Sequence, residues 1–396
     1  MNKLTEKKPR RFGTITLNIS FLSAIMAVCA GLLLGLLVLL CTNASQAFPA
    51  FKTILFTPIT GGRRQLGQVL YFATPLICTG LSVGFAFKTG LVNIGASGQF
   101  TLGAYAAIVT GVYCGFFGGV HWAVCLLVAA LAGALWGSIP GLLKAYYNVN
   151  EVITSIMLNY TSMYIVNYLI VKTCYNQLKN QSANVLESAL IPKFGLNKLF
   201  PGSSVGGGII IAVLAAIAIY VLLEKTTFGY ELKAVGLSRD AAKYAGINEK
   251  RGIVLSMAIS GALSGLGGGL VYLAGAGKNL TVVEVLLMEG MDGISVALLG
   301  LSHPIGVLFA GLFFGWITVG GFNMQLYSFA PEIVDVISST IIYFAACSLM
   351  FRGIIESMRG GKKQGAAVAT ATPAPTAPPD TAPAADSEAK EKGGAL

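Results

Sequence analysis

Amides and a hydroxyl interrupt one apolar stretch of this chain, and they are the first residues whose types and spacing suggest chemistry. In GLVNIGASGQFTLGAYAA, residues 90 to 107, Asn93, Ser97 and Gln99 lie among glycines. Unpaired amides are costly in hydrocarbon, so a helix broken here would turn these groups toward a protected cavity. Transporters commonly build solute sites near the middle of the membrane in this way. Hydrogen bonding between helices is the alternative interpretation.

Carboxylates interrupt a second apolar stretch, VEVLLMEGMDGISVALLG, at residues 283 to 300. It carries Glu284, Glu289 and Asp292, and carboxylates at membrane depth are candidates for function by default. Asp292, which is flanked by glycines, is the deepest of the three, whereas Glu284 suits the outer interface. We therefore expect Asp292 to lie in a solute pathway.

A third polar group lies inside the apolar stretch at residues 151 to 171. Asn159 and Tyr160 are too far from either end of this stretch to act as interfacial anchors. A surface of aromatic rings and amides suits a polar solute that contains a ring. The predicted substrate pathway consists of Asn93, Ser97, Gln99, Asn159, Tyr160 and Asp292.

Residues suited to catalysis or to metal binding are sparse in this sequence. The two histidines, His121 and His303, have no companion at the spacing of a metal site, and the seven cysteines are scattered. Gly277 and Lys278 are followed by Asn279, so the phosphate-binding Walker A pattern is missing. We predict no catalytic residue, no metal site and no cofactor in this chain.

The elements that must position these residues are membrane-spanning helices. The chain is 55% hydrophobic and 11% charged, with a mean hydropathy of +0.72, which argues against an ordinary soluble domain. A helix needs about 20 apolar residues to cross about 30 Å of hydrocarbon. Ten stretches approach this length: residues 20–42, 65–87, 91–113, 121–143, 151–171, 207–224, 252–275, 281–300, 304–320 and 333–351. The predicted fold is all-α, a polytopic membrane protein with about ten transmembrane helices.

Lysines and arginines set the predicted orientation, because positively charged loops near the spans tend to stay in the cytoplasm. With ten spans and the N-terminus inside, 19 of the 27 basic residues are cytoplasmic, and both termini are cytoplasmic as well. The net charge of +10 then faces anionic lipid headgroups, so it requires no nucleic acid partner.

Composition divides the chain into three parts. Residues 1–19 are a basic cytoplasmic segment, residues 20–358 are the membrane domain, and residues 359–396 are an Ala/Pro/Thr-rich cytoplasmic tail that we expect to be disordered. The first span resembles a secretory signal in its flanks, but its apolar run is too long, which favours an uncleaved anchor. Residues 172–206 form a long external loop, either a cap, a partner contact or a plain connector. Residues 225–251 form the longest cytoplasmic connection, with one or two short helices.

Glycines recur at intervals of four residues in several of these stretches. This spacing places them along one helix face, where neighbouring helices can pack backbone to backbone. The sets are Gly111, Gly115 and Gly119; Gly133, Gly137 and Gly141; Gly261, Gly265 and Gly269; and Gly311 and Gly315. Tight packing is the expected role of each set.

Several ordered motifs carry a family resemblance. The runs VNIGASGQFTLGAYAA, YNVNEVITSIMLNY, YELKAVGLSRDAAKYAGIN and GMDGISVALLGLSHPIGVLFAGLFFG together resemble permease subunits of bacterial ATP-binding-cassette (ABC) importers. The branch of these permeases that the chain resembles serves simple sugars, nucleosides and branched-chain amino acids. The segment GMDGISVALLG is most similar to nucleoside permeases. The resemblance covers residues 65 to 352 and implies a type II ABC importer-like permease fold. Spans one to five and six to ten would then form inverted five-helix halves.

The resemblance also implies partners. Such a subunit lies in the bacterial cytoplasmic membrane, pairs with a second permease, receives its solute from an external binding lipoprotein, and depends on cytoplasmic ATPase subunits that bind the ATP. The family places the ATPase contact on the loop that here contains Glu231, Asp240, Ala241, Ala242 and Gly246. Asp240 stands where many relatives carry glutamate.

Two alternatives to nucleoside import remain open from the sequence. One is an ion-coupled secondary transporter of a small polar solute, in which Glu289 and Asp292 would bind the coupling ion. The other is an ABC permease for ribose, galactose or branched-chain amino acids.

Overall fold

Helices dominate the computed structural model of this protein, which describes residues 19–330 and 332–346. The helices of the first half are α1 Ile19–Thr42, α2 Ala44–Thr60, α3 Gly62–Lys88, α4 Ala96–Tyr113, α5 His121–Tyr147, α6 Glu151–Thr173 and α7 Leu196–Leu199. Those of the second half are α8 Gly208–Lys225, α9 Thr227–Leu237, α10 Arg239–Tyr244, α11 Glu249–Tyr272, α12 Met288–Leu299, α13 Pro304–Met324 and α14 Glu332–Ala346. The predicted basic segment before residue 19 and the predicted tail lie outside the described residues.

Six helices of the described chain are long and apolar enough to cross a membrane. They are found at Ile25–Thr42, Gly62–Lys88, Gly115–Tyr147, Gly208–Lys225, Glu249–Tyr272 and Pro304–Tyr327. The structure therefore supports an all-α, multi-pass membrane protein, while the count of about ten spans is not confirmed. One reason is length: α12 has only 12 residues, which at about 1.5 Å per residue cannot cross the hydrocarbon layer alone.

Two of the predicted spans, 91–113 and 281–300, become helical later than predicted, because each is preceded by a stretch that is not helical. The chain leaves α3 at Lys88 and becomes helical again only at Ala96, so the first interruption covers residues 89–95. The second covers residues 273–287, between α11 and α12. These are the two places where polar residues and glycines interrupt the apolar pattern.

Helix α2 is an element that the sequence analysis does not predict. It contains Pro49 and Pro58, which disfavour a helix interior because proline lacks an N–H group and crowds the preceding turn. The helix is stabilised by packing: Ala47, Ala50 and Ile54 are buried, and α2 lies against α1 and α13.

Helix α11 lies at the centre of the fold and packs against α3, α4 and α5. Its crossing with α5 is made of glycines, so the two backbones touch. A Cβ atom added to Gly133 of α5 would lie 2.8 Å from Gly265 Cα and would also clash with the Gly261 carbonyl. The predicted role of the four-residue glycine spacing, close helix packing, is confirmed at this crossing.

The predicted external loop is folded against the helices. It contains a hairpin of β1 Tyr175–Asn176 and β2 Gln181–Ser182. Backbone hydrogen bonds join Leu186 N to Gly111 O (3.0 Å) and Ile191 N to Leu273 O (2.9 Å), so the loop is anchored to the ends of α4 and α11.

Candidate solute chamber and coupling surface

Asn93 is the centre of a hydrogen-bond network at the first interruption. Its Nδ2 donates to Gln99 Oε1 (2.8 Å) and to Ser260 Oγ (2.7 Å). In return Gln99 Nε2 donates to Asn93 Oδ1 (3.1 Å), which also accepts from Gly95 N (3.0 Å). Ser260 Oγ in turn donates to Ser82 O (2.7 Å), so the network joins the interruption to α11 and α3.

Asn159 of α6 closes the other side of the same interruption. Its Oδ1 accepts from Gly98 N (2.8 Å), and its Nδ2 donates to Ile94 O (3.0 Å). An amide can satisfy both a freed donor and a freed acceptor, which explains why asparagine suits this position. The side chain therefore provides the partners that a continuous helix would have supplied.

Ser97 connects the two interruptions. Its Oγ donates to Leu287 O (2.8 Å), the residue just before α12. A Cβ atom added to Gly290 would lie 2.8 Å from Ser97 N, so the first turns of α4 and α12 are in direct contact.

Four of the predicted pathway residues are thus brought together, and all four are buried. They are Asn93, Ser97, Gln99 and Asn159, whose relative exposures are 0%, 0%, 1% and 2%. In this conformation their polar atoms bind the protein itself and hold the interruptions in place. A direct contact with solute remains a prediction for them.

Tyr160 lies apart from this group, on the outward face of α6, where it is 49% exposed. Tyr164 and Tyr168 share this face at 54% and 63%. Among the described residues nothing hydrogen-bonds to the Tyr160 hydroxyl. In hydrocarbon such a hydroxyl would lack a partner, so this face suits contact with another protein or with water.

Asp292 lines a chamber of about 490 Å³ between α3, α11, α12 and α13. Aromatic side chains form one wall: Tyr71 and Phe72 pack edge to face with their ring centroids 5.2 Å apart. Charged side chains form another, and Glu289 is ion-paired with Lys278. Within the described part of the chain Asp292 has neither an ion-pair partner nor a hydrogen bond, so its carboxylate is available to a ligand.

A second cavity, of about 460 Å³, adjoins the chamber because Tyr71 and Phe72 line both. Its other walls are polar and include Arg64, Gln68 and Asn323, which lie near the predicted outer ends of α3 and α13. We call these two adjoining cavities the recess: its polar part lies near the predicted outer ends of α3 and α13, and Asp292 lines its other part.

Most residues of the chamber are not among the predicted pathway residues. Tyr71 and Phe72 belong to a stretch that is predicted only as a membrane span, and Lys278 is assigned to a loop. A signal was present in α3, where Arg64, Gln68 and Tyr71 recur at the spacing of one helix face. Such a stripe indicates a helix face that meets water or solute.

Helices α9 and α10 form the predicted coupling surface. Each begins with a side-chain cap, since Thr226 Oγ1 accepts from Gly229 N (3.0 Å) and Ser238 Oγ accepts from Ala241 N (3.3 Å). Gly246 follows the C-cap of α10 and has a φ of 81°, a left-handed conformation that favours glycine.

Exposure separates the predicted coupling residues into two groups. Glu231, Asp240, Ala241 and Gly246 are exposed, and a partner could reach them. Ala242 is only 3% exposed and belongs to a buried apolar cluster with Leu91, Val235, Ile253 and Met257. Ala242 therefore attaches α10 to the membrane helices, and Tyr244, which is 95% exposed, offers a large apolar surface beside it.

Comparison with known proteins identifies the class to which this fold and chamber belong. Residues 65–346 match the family described as "Branched-chain amino acid transport system / permease component". The chain belongs to this family of transport permeases, whose members are transport components of membrane transport systems.

Individual relatives are similar over most of the chain. The guanosine ABC transporter permease protein NupP of Bacillus subtilis is 37% identical over 343 residues, covering 86% of this chain and 97% of the relative. The nucleoside ABC transporter permease protein NupB of Lactococcus lactis is 34% identical over 347 residues, covering 85% and 94%. A second protein of B. subtilis, the guanosine permease protein NupQ, is 30% identical over 289 residues, covering 70% and 88%. No solved structure matches the chain significantly.

Proposed function

We propose that this chain is the membrane-spanning permease subunit of an ABC importer that admits nucleosides. The observation that supports this proposal most strongly is the recess lined by Asp292, which has an aromatic wall and an unpaired carboxylate. The printed names of two relatives with broad coverage, one for guanosine and one for nucleosides, support the same solute class.

The chemistry of the chamber suits a nucleoside. Its volume of about 490 Å³ is typical of sites for small organic molecules, which span about 300–1,000 Å³. Stacking of a base on an aromatic side chain contributes about 1–3 kcal/mol, and Tyr71 or Phe72 could provide it. The carboxylate of Asp292 can accept hydrogen bonds from ribose hydroxyls or base N–H groups. One lysine against two carboxylates leaves the chamber with a net negative charge, which disfavours phosphorylated nucleotides.

The helix contacts support inverted halves, with α3, α4 and α5 corresponding to α11, α12 and α13. In each half a long helix is followed by an interruption, and a Gly-x-x-Gly sequence lies at the start of the next helix: Gly95–Gly98 at α4 and Gly290–Gly293 in α12. α3 packs against α13, and α11 packs against α5, so the first helix of each half lies against the third helix of the other. A pseudo-two-fold axis in the membrane plane produces this exchange.

Partner subunits complete the proposed transporter. Cytoplasmic ATPases would bind ATP and contact Glu231, Asp240, Ala241 and Gly246, because these exposed residues surround α10. A second permease is supported by the relatives: two different nucleoside or guanosine permease proteins are similar to this chain in B. subtilis and two in L. lactis. With both termini cytoplasmic, the recess opens outward, toward an external binding lipoprotein. ATP-driven closure would then favour the opposite, inward-open state.

Competition for uptake tests the proposed solute class. Proteoliposomes that contain the complete transporter would take up radiolabelled guanosine in the presence of unlabelled competitors. We expect inosine and adenosine to compete, and ribose, leucine and guanosine monophosphate to compete at least tenfold more weakly. Stronger competition by leucine or ribose than by any nucleoside would contradict the proposed solute.

A further inference from the structure

The tip of the β1–β2 hairpin presents the most exposed large apolar side chain of the described residues. Leu178 is 96% exposed, and the next is Tyr244 of the proposed coupling surface at 95%. An isolated surface leucine is ordinary, but here the turn that carries it is fixed by its own hydrogen bonds. Leu178 N donates to Asn176 Oδ1 (3.1 Å), and Tyr175 Oη donates to Asn180 Oδ1 (2.8 Å).

The hairpin is also bonded to the chain that leads into the chamber. Ser182 N donates to Leu280 O (2.8 Å), and Val282 N donates to Asn180 O (3.1 Å). Asn180 Nδ2 returns a bond to Val282 O (3.1 Å), so residues 280–282 act as a third strand. This third strand lies between Lys278 and α12, which carries Glu289 and Asp292. The hairpin is therefore hydrogen-bonded to the segment that joins two parts of the chamber lining, Lys278 and α12.

Charge around the tip indicates the kind of partner. Lys179, beside the leucine, and Lys172, at the end of α6, are both exposed. The predicted external loop, residues 172–206, contains one acidic residue, Glu187, which is exposed. A surface with an excess of lysines around a protruding leucine is complementary to an apolar recess bordered by carboxylates.

We infer that Leu178 and Lys179 are a docking point for the external solute-binding protein of the transporter. The occupant is a water-soluble protein rather than lipid, because the tip follows the end of α6 on the predicted outer side and Lys179 flanks the leucine. This inference rests on the proposed function, since only an importer of this kind receives solute from such a protein. The partner would present the apolar, carboxylate-bordered recess.

A double variant tests the inference. Leu178→Asp with Lys179→Glu would be compared with the unaltered transporter in nanodiscs, by measuring the Kd of the purified solute-binding protein. We expect the Kd to rise at least tenfold, because an apolar anchor is lost and an attractive charge becomes repulsive. The matched control, Lys198→Glu with Leu199→Asp, makes the same changes elsewhere in the loop, where Leu199 is 59% exposed, and should stay within twofold.

Photo-cross-linking provides a second measurement that does not need the double variant to fold. A benzoylphenylalanine at position 178 should cross-link to the solute-binding protein, whereas one at position 199 should not. An unchanged Kd in the double variant, or cross-links from position 178 only to lipid or to a permease, would overturn the inference. Failure of the proposed function would appear differently, as no binding of the solute-binding protein to the unaltered transporter.

Discussion

Substitution of Asp292 is the most direct residue-level test of the proposed solute chamber. Replacing it by asparagine keeps the size of the side chain and removes the charge that would accept two hydrogen bonds from the solute. Because charge-assisted hydrogen bonds contribute about 1.5–3 kcal/mol, we expect Asp292→Asn to reduce nucleoside uptake by roughly tenfold or more. Radiolabelled uptake at equal protein level would measure it.

The control for this variant is Glu284→Gln, which removes an exposed carboxylate outside the chamber. Its uptake should match that of the unaltered protein. If Asp292→Asn transports as well as Glu284→Gln does, Asp292 has no part in the pathway.

Asn93 has a different expected role, because its hydrogen bonds join α3, the first interruption and α11. Asn93→Ala would leave the side-chain amide of Gln99 without a partner in a buried place, at a cost of about 1–3 kcal/mol. We expect a lower temperature of unfolding in detergent together with reduced uptake. Asn197→Ala, at an exposed position of α7, should leave both unchanged. An Asn93→Ala protein with normal stability would contradict the structural role.

At the residue scale, four of the polar residues that the sequence singles out lie together in the structure. Their hydrogen bonds to the protein itself were not predicted as their main role. Asn93, Gln99 and Asn159 stand out because amides are rare in apolar stretches. Ser260, which accepts from Asn93, lies 167 residues away in sequence, and such a distant pairing has no local signal. Tyr71 and Phe72 were missed because aromatic residues in a span are usually packing residues.

At the scale of elements, the crossing of α5 and α11 allows a sharp prediction. Gly133→Val would force a side chain into the backbone of α11, where nothing can move aside cheaply. We expect it to abolish the folded protein or to reduce its stability by more than about 3 kcal/mol, the upper range for overpacking. Size-exclusion chromatography and thermal unfolding would detect the change. Gly119→Ala, where a Cβ meets nothing within 4 Å, is the control and should be tolerated.

The end of α10 allows a prediction about coupling. Gly246 has a φ of 81° and open space around it, so Gly246→Val would distort the loop between α10 and α11 without a clash. Because that loop is the proposed ATPase contact, we expect more ATP hydrolysed per nucleoside transported. Gly118→Val is matched, with a φ of 55° and open space on the predicted outer side, and should leave this ratio unchanged. An unchanged ratio in Gly246→Val would count against the coupling surface.

Element boundaries were predictable where a local signal fixes them. The predicted spans at residues 151 and 304 begin where α6 and α13 begin, because Asn150 Oδ1 accepts from Val152 N (2.9 Å) and Pro304 occupies the first turn of its helix. The predicted span at 281–300 is helical only from Met288 to Leu299. Its first residues are not helical, because residues 280–282 pair with a hairpin about 100 residues away in sequence. That pairing has no local periodicity to reveal it.

At the scale of the whole molecule, the fold places a small polar recess inside an apolar scaffold. The chain carries neither a Walker A pattern in its sequence nor, among the described residues, a cluster that could hold a metal ion. Membership of a transport permease family agrees with energy supplied from outside this chain. The proposed order of events is delivery at the recess, closure driven by the ATPases, and release on the cytoplasmic side.

The most direct test of this account is the energy source of uptake. Proteoliposomes with this permease, its partner permease, the ATPases and the solute-binding protein would be supplied with guanosine and either ATP, a non-hydrolysable ATP analogue, or a proton or sodium gradient alone. The account predicts accumulation only with hydrolysable ATP, and none when the ATPases are omitted. Accumulation driven by an ion gradient without ATP would contradict it.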